Sequence, residues 1–266
     1  MRKAGLETPS IQSLDRGLSI LEAVARSTNP VPLGALTDLL GIDRSSVFRL
    51  ATTLKRRGFL ANPYSRKDYI LGPSIWRLSR KYDWSNVLIT FSHEHLKTLA
   101  DKTGETAHLA VREGRSALFI DHYSPNNHII VVSGQTGELI PLHCTAHGKA
   151  LLTDCDLPAL KGIFGASTLQ ARTPRTIVSL PQLAKACAAA KAEGFTTDNA
   201  EFQDEIRCVA APIRDRDGMI VASIGISAPI ARLPQERYAA AARQVSAIAK
   251  EISGILSAAA EEAANA

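Results

Sequence analysis

Ser45, Arg49, Thr52 and Arg56 recur at intervals of four, three and four residues. On an α-helix that spacing brings all four to one face, so two guanidinium groups and two hydroxyls point the same way. A guanidinium fork matches the acceptors of a guanine edge or the oxygens of a phosphate, and a hydroxyl serves a phosphate or either base. Arg44 and Ser46 stand beside this set, and Arg66 and Lys67 follow in the polar turn Asn62 to Lys67. A second pattern lies further on, where Cys144-Thr145-Ala146-His147-Gly148 follows Pro141 and opens a helical stretch. A helix start exposes unpaired amides that carry partial positive charge and attract carboxylates. Thr145, Ala146, His147 and Gly148 are therefore candidate anion ligands.

Other chemistries have less to stand on. The chain contains no G-x-S-x-G, no phosphate loop, no G-x-G-x-x-G after a strand and no H-E-x-x-H. Among His108, His122, His143, His147 and Cys144, His143 and His147 stand four residues apart, but one such pair without a C-x-x-C partner is too few ligands for a site, so no metal and no cofactor is expected. Cys144, Cys155, Cys187 and Cys208 form no C-x-x-C pair and read as buried thiols. Two alternatives from other classes remain: a cysteine-dependent hydrolase using Cys144 or Cys208 with His143, and an interaction adaptor without affinity for DNA.

The elements that must position these groups are legible in the apolar periodicity. Leu14, Leu18, Leu21 and Ala25 mark a first amphipathic helix behind Ser13 as N-cap, ended by Asn29-Pro30. Leu33, Leu36 and Leu40 mark a second, closed by Gly41. Asp43 caps a third that runs to about Arg57, with Val47, Leu50, Ala51 and Leu54 inward and the Ser45 to Arg56 row outward. Helix, short glycine turn, helix is the helix-turn-helix arrangement. Residues 59–61 and 68–71 then read as a β-hairpin wing with Arg66 and Lys67 at its tip. Charge agrees, because residues 1–90 hold 14 Lys and Arg against 7 Asp and Glu, while the remainder holds 17 against 19. A basic head on a near-neutral body is the electrostatic footprint of a partner such as double-stranded DNA.

Pro73 opens a connector helix with Ile75, Leu78 and Tyr82 on one side, a stripe suited either to a second copy or to the chain's own body; Val87, Leu88, Phe91, His95, Leu96 and Leu99 extend the pattern. After Gly104 the period becomes two. Strands are expected at 107–113, 117–123 and 128–133, helices at about 146–153, 156–163 and 180–193, strands again at 195–199, 206–214 and 219–227, and a long helix at 235–260. Strands, helices and strands in that order predict an α+β body around one antiparallel sheet. The 266-residue length fits about two domains, and the 45% hydrophobic, 21% charged composition excludes wholesale disorder. No segment has the length and apolarity of a signal peptide or membrane span, which predicts a cytoplasmic protein with no membrane partner.

Residues 13–21, Arg44-Ser45-Ser46-Val47-Phe48-Arg49-Leu50 and Arg57-Gly58-Phe59-Leu60 resemble the head of the IclR family of bacterial transcription regulators. Residues 141–152, then Gly194-Phe195 with Asp198 and Glu201, and 207–213 continue the resemblance over about residues 12–257. It implies a winged helix-turn-helix DNA-binding domain at 10–72, a linker helix at 73–90 and a GAF-like effector-binding domain at 91–260. It also implies homodimers or dimers of dimers on palindromic operators, with the dimer contact around Ile75 to Tyr82. By the same resemblance Ile140, Ala146, His147, Asp198, Cys208 and Ser227 line an effector pocket, and the small-molecule effector is expected to be a carboxylic acid. Gly225, where some relatives carry serine, is expected to leave that pocket more room, and His147 replaces a small residue of many relatives. Each of these also has a purely structural reading: Cys208 as core, Ser227 as a strand-end hydroxyl, His147 as a cap.

Overall fold

The computed structural model describes residues 11–63, 68–79, 83–125, 134–165 and 168–264. The chain divides into two compact units, residues 1–83 and 84–266.

In the first unit, α1 spans Gln12–Arg26, α2 Leu33–Leu40 and α3 Arg44–Arg56, followed by β1 (Leu60–Ala61), β2 (Ile70–Leu71) and α4 (Pro73–Ser79). α1 turns a different face inward from the one expected. Gly17, Ile20 and Val24 are buried, whereas Leu14 and Leu18 are 59% and 50% exposed and no side chain caps the helix. The two apolar rows are neighbours on one helix, and spacing alone does not say which of them the other elements cover. α2 ends as expected: Gly41 takes the left-handed conformation at φ 60° and its N–H reaches the Thr37 carbonyl. Asp43 caps α3 by accepting the Ser46 N–H at 2.9 Å. Val47 and Ala51 of α3 are buried with Ile20, Val24, Leu36, Leu60 and Tyr69 as the core of the head, and Leu50 and Leu54 pack against it half-buried.

The hairpin pairs Leu60 with Leu71 and Ala61 with Ile70. Tyr69 adds a bridge that periodicity did not indicate, exchanging both backbone hydrogen bonds with Val31 and so tying the hairpin to the α1–α2 connection. The hairpin tip, with Arg66 and Lys67, lies outside the described residues. On α4, Ile75 is half-buried, and Trp76 and Leu78 are 64% and 56% exposed. Tyr82 lies outside the described residues.

The second unit begins with α5 (Asp83–Thr103), β3 (Thr106–Glu113), β4 (Ser116–Tyr123) and β5 (Leu139–Pro141). α6 (Ala146–Ala150), α7 (Leu157–Phe164) and α8 (Leu180–Glu193) come next, then β6 (Thr196–Asn199), β7 (Ile206–Arg214), β8 (Ile220–Pro229) and α9 (Tyr238–Ala264). The six strands form one sheet in the order β5-β4-β3-β8-β7-β6, each neighbouring pair antiparallel. The expected strand at 128–133 lies outside the described residues, and the strand found on β4 is β5, paired through Ala117 and Ile140.

Alternation along β3 and β8 sorts the two faces. Leu109, Val111, Ile224 and Ile226 meet Leu96 and Leu99 of α5 and Val245, Ile248 and Ile252 of α9. A second core on Phe119, Ile140, Leu142, Leu152, Leu160 and Leu183 gathers β4, β5 and the short helices. The face opposite α9 receives His108, Ser223, Gly225 and Ser227 from β3 and β8, small and polar residues where the other face has Leu and Ile. α6 stops at Ala150, shorter than the period indicated, because the chain tightens into three-residue bonds from Leu152 to Lys149 and from Cys155 to Leu152.

Candidate functional site

In the head, Ser45, Arg49, Thr52 and Arg56 lie along α3 as one exposed row, with Arg44 exposed beside it. Ser45 Oγ donates to Asp43 Oδ1 at 2.5 Å, and Ser46 is half-buried with its amide held by the same carboxylate. These bonds from Ser45 and Ser46 hold the Asp43 carboxyl below the usual carboxylate range. Exposed Phe48 stands among the cationic side chains, a feature that the reading of charge passed over.

In the body, Ile140, Thr145, Ala146, His147, Asp198, Cys208 and Ser227 line a single cavity. The sheet sets three of them in a row. Asp198 of β6 pairs with Cys208 of β7, and Cys208 with Ser227 of β8, so one line across three strands carries a carboxyl, a thiol and a hydroxyl on one face. The Cys208 thiol donates to Ser227 Oγ at 3.2 Å. Asp198 Oδ1 accepts the Glu201 N–H at 2.7 Å, and burial raises its carboxyl to about 7. His147 is buried, with Nδ1 3.0 Å from Ser223 Oγ, and its Nε2 has no hydrogen-bond partner among the described residues. Burial holds His147 down at about 3 and also lowers His108, so both rings are neutral near pH 7. The His147 ring meets Phe119 edge-on at 5.3 Å, and His108 stacks on Phe119 at 4.6 Å.

Gly148 and Gly225 do not line the cavity. A Cβ on Gly148 would lie 2.4 Å from Leu142 Cα, and one on Gly225 2.4 Å from the Val209 carbonyl oxygen. Both glycines permit close backbone approach, and Gly225 therefore gives the cavity no extra room, contrary to expectation. The start of α6 is also less open than the sequence indicated. Thr145 Oγ1 already accepts the Gly148 N–H at 3.0 Å, and the Thr145 carbonyl accepts that of Lys149. Among the described side chains that line the cavity, the buried atoms without a hydrogen-bond partner are imidazole nitrogens, Nε2 of His147 and both ring nitrogens of His108. His108, Phe119, Gly134, Glu138, Phe202, Gln203 and Ile206 complete the wall, and the sequence did not indicate them. Alternation on β3 and β4 carried the signal for the first two, while Phe202 and Gln203 sit on a connection that has no period.

Behind Asp198, Lys149 and Glu201 form a buried ion pair. The connection carrying Glu201 is held by hydroxyls: Thr173 donates to the Ala200 carbonyl at 2.8 Å and Thr176 to the Glu201 carbonyl at 2.6 Å. Ala200 itself adopts φ 59°, a left-handed conformation costly for a residue with a Cβ. Among the described residues no three His, Cys, Asp or Glu are placed to hold a metal ion, and no helix is long and apolar enough to cross a membrane. The cysteines lack the thiolate that a nucleophile needs: burial pushes Cys144 and Cys187 up to about 12 and raises Cys208 further, while His143 Nε2 is engaged with the Gln170 carbonyl oxygen.

Two family models match the chain: the IclR helix-turn-helix domain over residues 13–63 and the bacterial transcriptional regulator IclR C-terminal domain over residues 84–254. The transcriptional repressor IclR of Escherichia coli K12 is 30% identical over 92% of this chain and 90% of its own length. The crystal structure of Thermotoga maritima IclR superposes with a TM-score of 0.69 at 25% identity, over 93% of this chain and 99% of that one. An IclR homolog from Microbacterium hydrocarbonoxydans, crystallised with 4-hydroxybenzoate, shares the fold at a TM-score of 0.78 and 19% identity, over 92% and 98% of the two chains. A cysteine hydrolase and an adaptor without DNA affinity are thereby set aside. The chain belongs to the IclR family, as a DNA-binding transcriptional regulator whose C-terminal part is the family's effector domain.

Proposed function

We propose that this regulator is a one-component repressor of the cytoplasm, binding palindromic operators as a homodimer or dimer of dimers and releasing or tightening its hold when a small organic acid occupies the body. The head would contact DNA through Arg44, Ser45, Ser46, Arg49, Thr52 and Arg56 on α3 and through Arg66 and Lys67 at the hairpin tip. The face of α4 that carries half-buried Ile75 and exposed Leu78 would pair two copies. The division into a DNA-binding domain at 10–72, a linker at 73–90 and an effector domain at 91–260 belongs to this reading. Ligand changes DNA affinity only by favouring one of two arrangements of the paired chains over the other.

The observation that carries the acid reading is that the row Asp198, Cys208 and Ser227 lines the same cavity as His147, whose Nε2 has no hydrogen-bond partner among the described residues. A neutral imidazole offers one N–H, and a carboxyl raised to about 7 retains a proton to share, so both can donate to an incoming carboxylate. Thr145, Ser227 and Cys208 then remain for a keto or hydroxyl group, with Ile140 and Ala146 as the apolar wall. Titration calorimetry with short keto and hydroxy acids and aromatic acids, against their neutral amides, tests this. Acids should bind, and affinity should fall about tenfold per pH unit above 7 as Asp198 loses its proton. Binding of neutral or cationic ligands alone would sink the organic-acid reading.

A further inference from the structure

Phosphate binding leaves one feature of α3 without a purpose. Phe48 is 54% exposed, although its neighbours Val47 and Ala51 are fully buried and the head has an apolar core within reach of the same helix. It stands one helical turn after Arg44 and one before Thr52. All three line a cleft with Lys55 of the same helix, Pro32 at the start of α2, and Asn62, Asp68 and Tyr69 of the hairpin region. Leaving an aromatic ring in water forgoes the free energy of burying it. A ring that shares its cleft with the exposed cations Arg44 and Lys55, against the one carboxylate of Asp68, is ill suited to an apolar protein surface, which would have to strip their hydration. The same surround suits a polyanion with an apolar spot between its charges. The major groove of DNA has that character: phosphates line its edges, and on its floor the C5-methyl of thymine is the apolar group that a phenylalanine can contact. Without an N–H or O–H, the Phe48 ring cannot read a hydrogen-bonding pattern, so its selectivity is confined to that methyl.

We propose that Phe48 is a specificity-determining residue that selects thymine by its methyl group, beside the guanidinium contacts of Arg49. The inference rests on α3 as the helix that enters the groove, and it adds a base that the helix requires there. The test takes the full-length chain, selects its preferred duplexes from a randomised pool, and replaces each thymine of the selected site in turn with deoxyuridine, which lacks only the methyl. The wild type should lose about fourfold in affinity at one motif position, the worth of one buried methyl-sized group. Phe48→Ala should bind both bases equally there, with an unchanged salt dependence because no phosphate contact is lost. Phe48→Leu should recover part of the preference. Circular dichroism of each variant verifies the fold, which an exposed side chain leaves intact. A wild type indifferent to every thymine-to-deoxyuridine change, or a Phe48→Ala variant that keeps the preference, overturns the inference and leaves the reading of the Arg49 row standing. A chain that selects no sequence at all overturns both.

Discussion

In the head, Arg44, Ser45, Arg49, Thr52 and Arg56 stand exposed on one helix, whereas in the body Asp198, His147, Cys208 and Ser227 are buried and hydrogen-bonded within the fold. The difference teaches how far function and fold are separable. An exposed Arg49 can be removed without disturbing a packed neighbour. Asp198, His147 and Lys149 each carry a desolvation cost that the fold must offset, so their chemistry and the stability of the body are one quantity.

The sharpest way to break that comparison is Glu201→Ala. It strands the Lys149 ammonium in the interior, and the body should lose about 3–5 kcal/mol of stability by denaturant unfolding. Replacing both partners, Lys149→Met with Glu201→Leu, should restore much of it, because a buried pair is worth little against apolar residues of similar volume. A Glu201→Ala protein as stable as the wild type would mean that the pair is solvated.

Asp198→Asn should move in the opposite direction and depend on pH. The folded state raises this carboxyl from 3.8 to about 7, so the folded chain holds the proton more tightly than the unfolded chain. Its contribution is full below about pH 3.8 and is lost as pH rises through about 7. The asparagine never ionises and can still accept the Glu201 N–H. The variant should therefore be more stable than the wild type at pH 8, by on the order of 3 kcal/mol, and nearly equal to it at pH 4. Thermal melts at the two pH values decide it; a difference that grows on acidification would show that Asp198 is stabilised as a carboxylate.

The head should answer through binding rather than stability. Arg49→Ala should weaken binding to a selected operator by about 1–3 kcal/mol while stability changes by less than about 0.5 kcal/mol. Equal operator affinity and sequence preference in the variant would remove Arg49 from the reading face. The smallest effect belongs to Asp43→Ala, which removes the α3 cap and should lower the unfolding midpoint of the head slightly in a thermal melt. The body, folded around its own cores, should keep its unfolding midpoint.

The two regions also differ in how far their sequence could be read. Caps and terminators act locally, and Asp43, Gly41 and the strands flanking residues 215–218 lie where local chemistry indicated. α1 was misread at Leu14 and Leu18 because two apolar rows of one helix compete for a surface that only the tertiary fold supplies. In the body, the row Asp198, Cys208, Ser227 depends on register between strands up to 29 residues apart, which no single segment encodes; resemblance, rather than periodicity, brought those residues together. The occupied amide of Gly148 was illegible for a related reason. Thr145 can offer its hydroxyl to a ligand or to its own helix, and the choice depends on where the Pro141 carbonyl sits.

The two threonines that grip the Ala200–Glu201 backbone govern timing as well as shape. Thr173 and Thr176 arrest a connection that also contains a left-handed alanine, so the conformational entropy of the cavity's Asp198 side is surrendered during folding rather than at the arrival of a ligand. A small acid then meets a wall already in place, and acids that differ by a single polar group should share similar association rates and separate mainly in residence time.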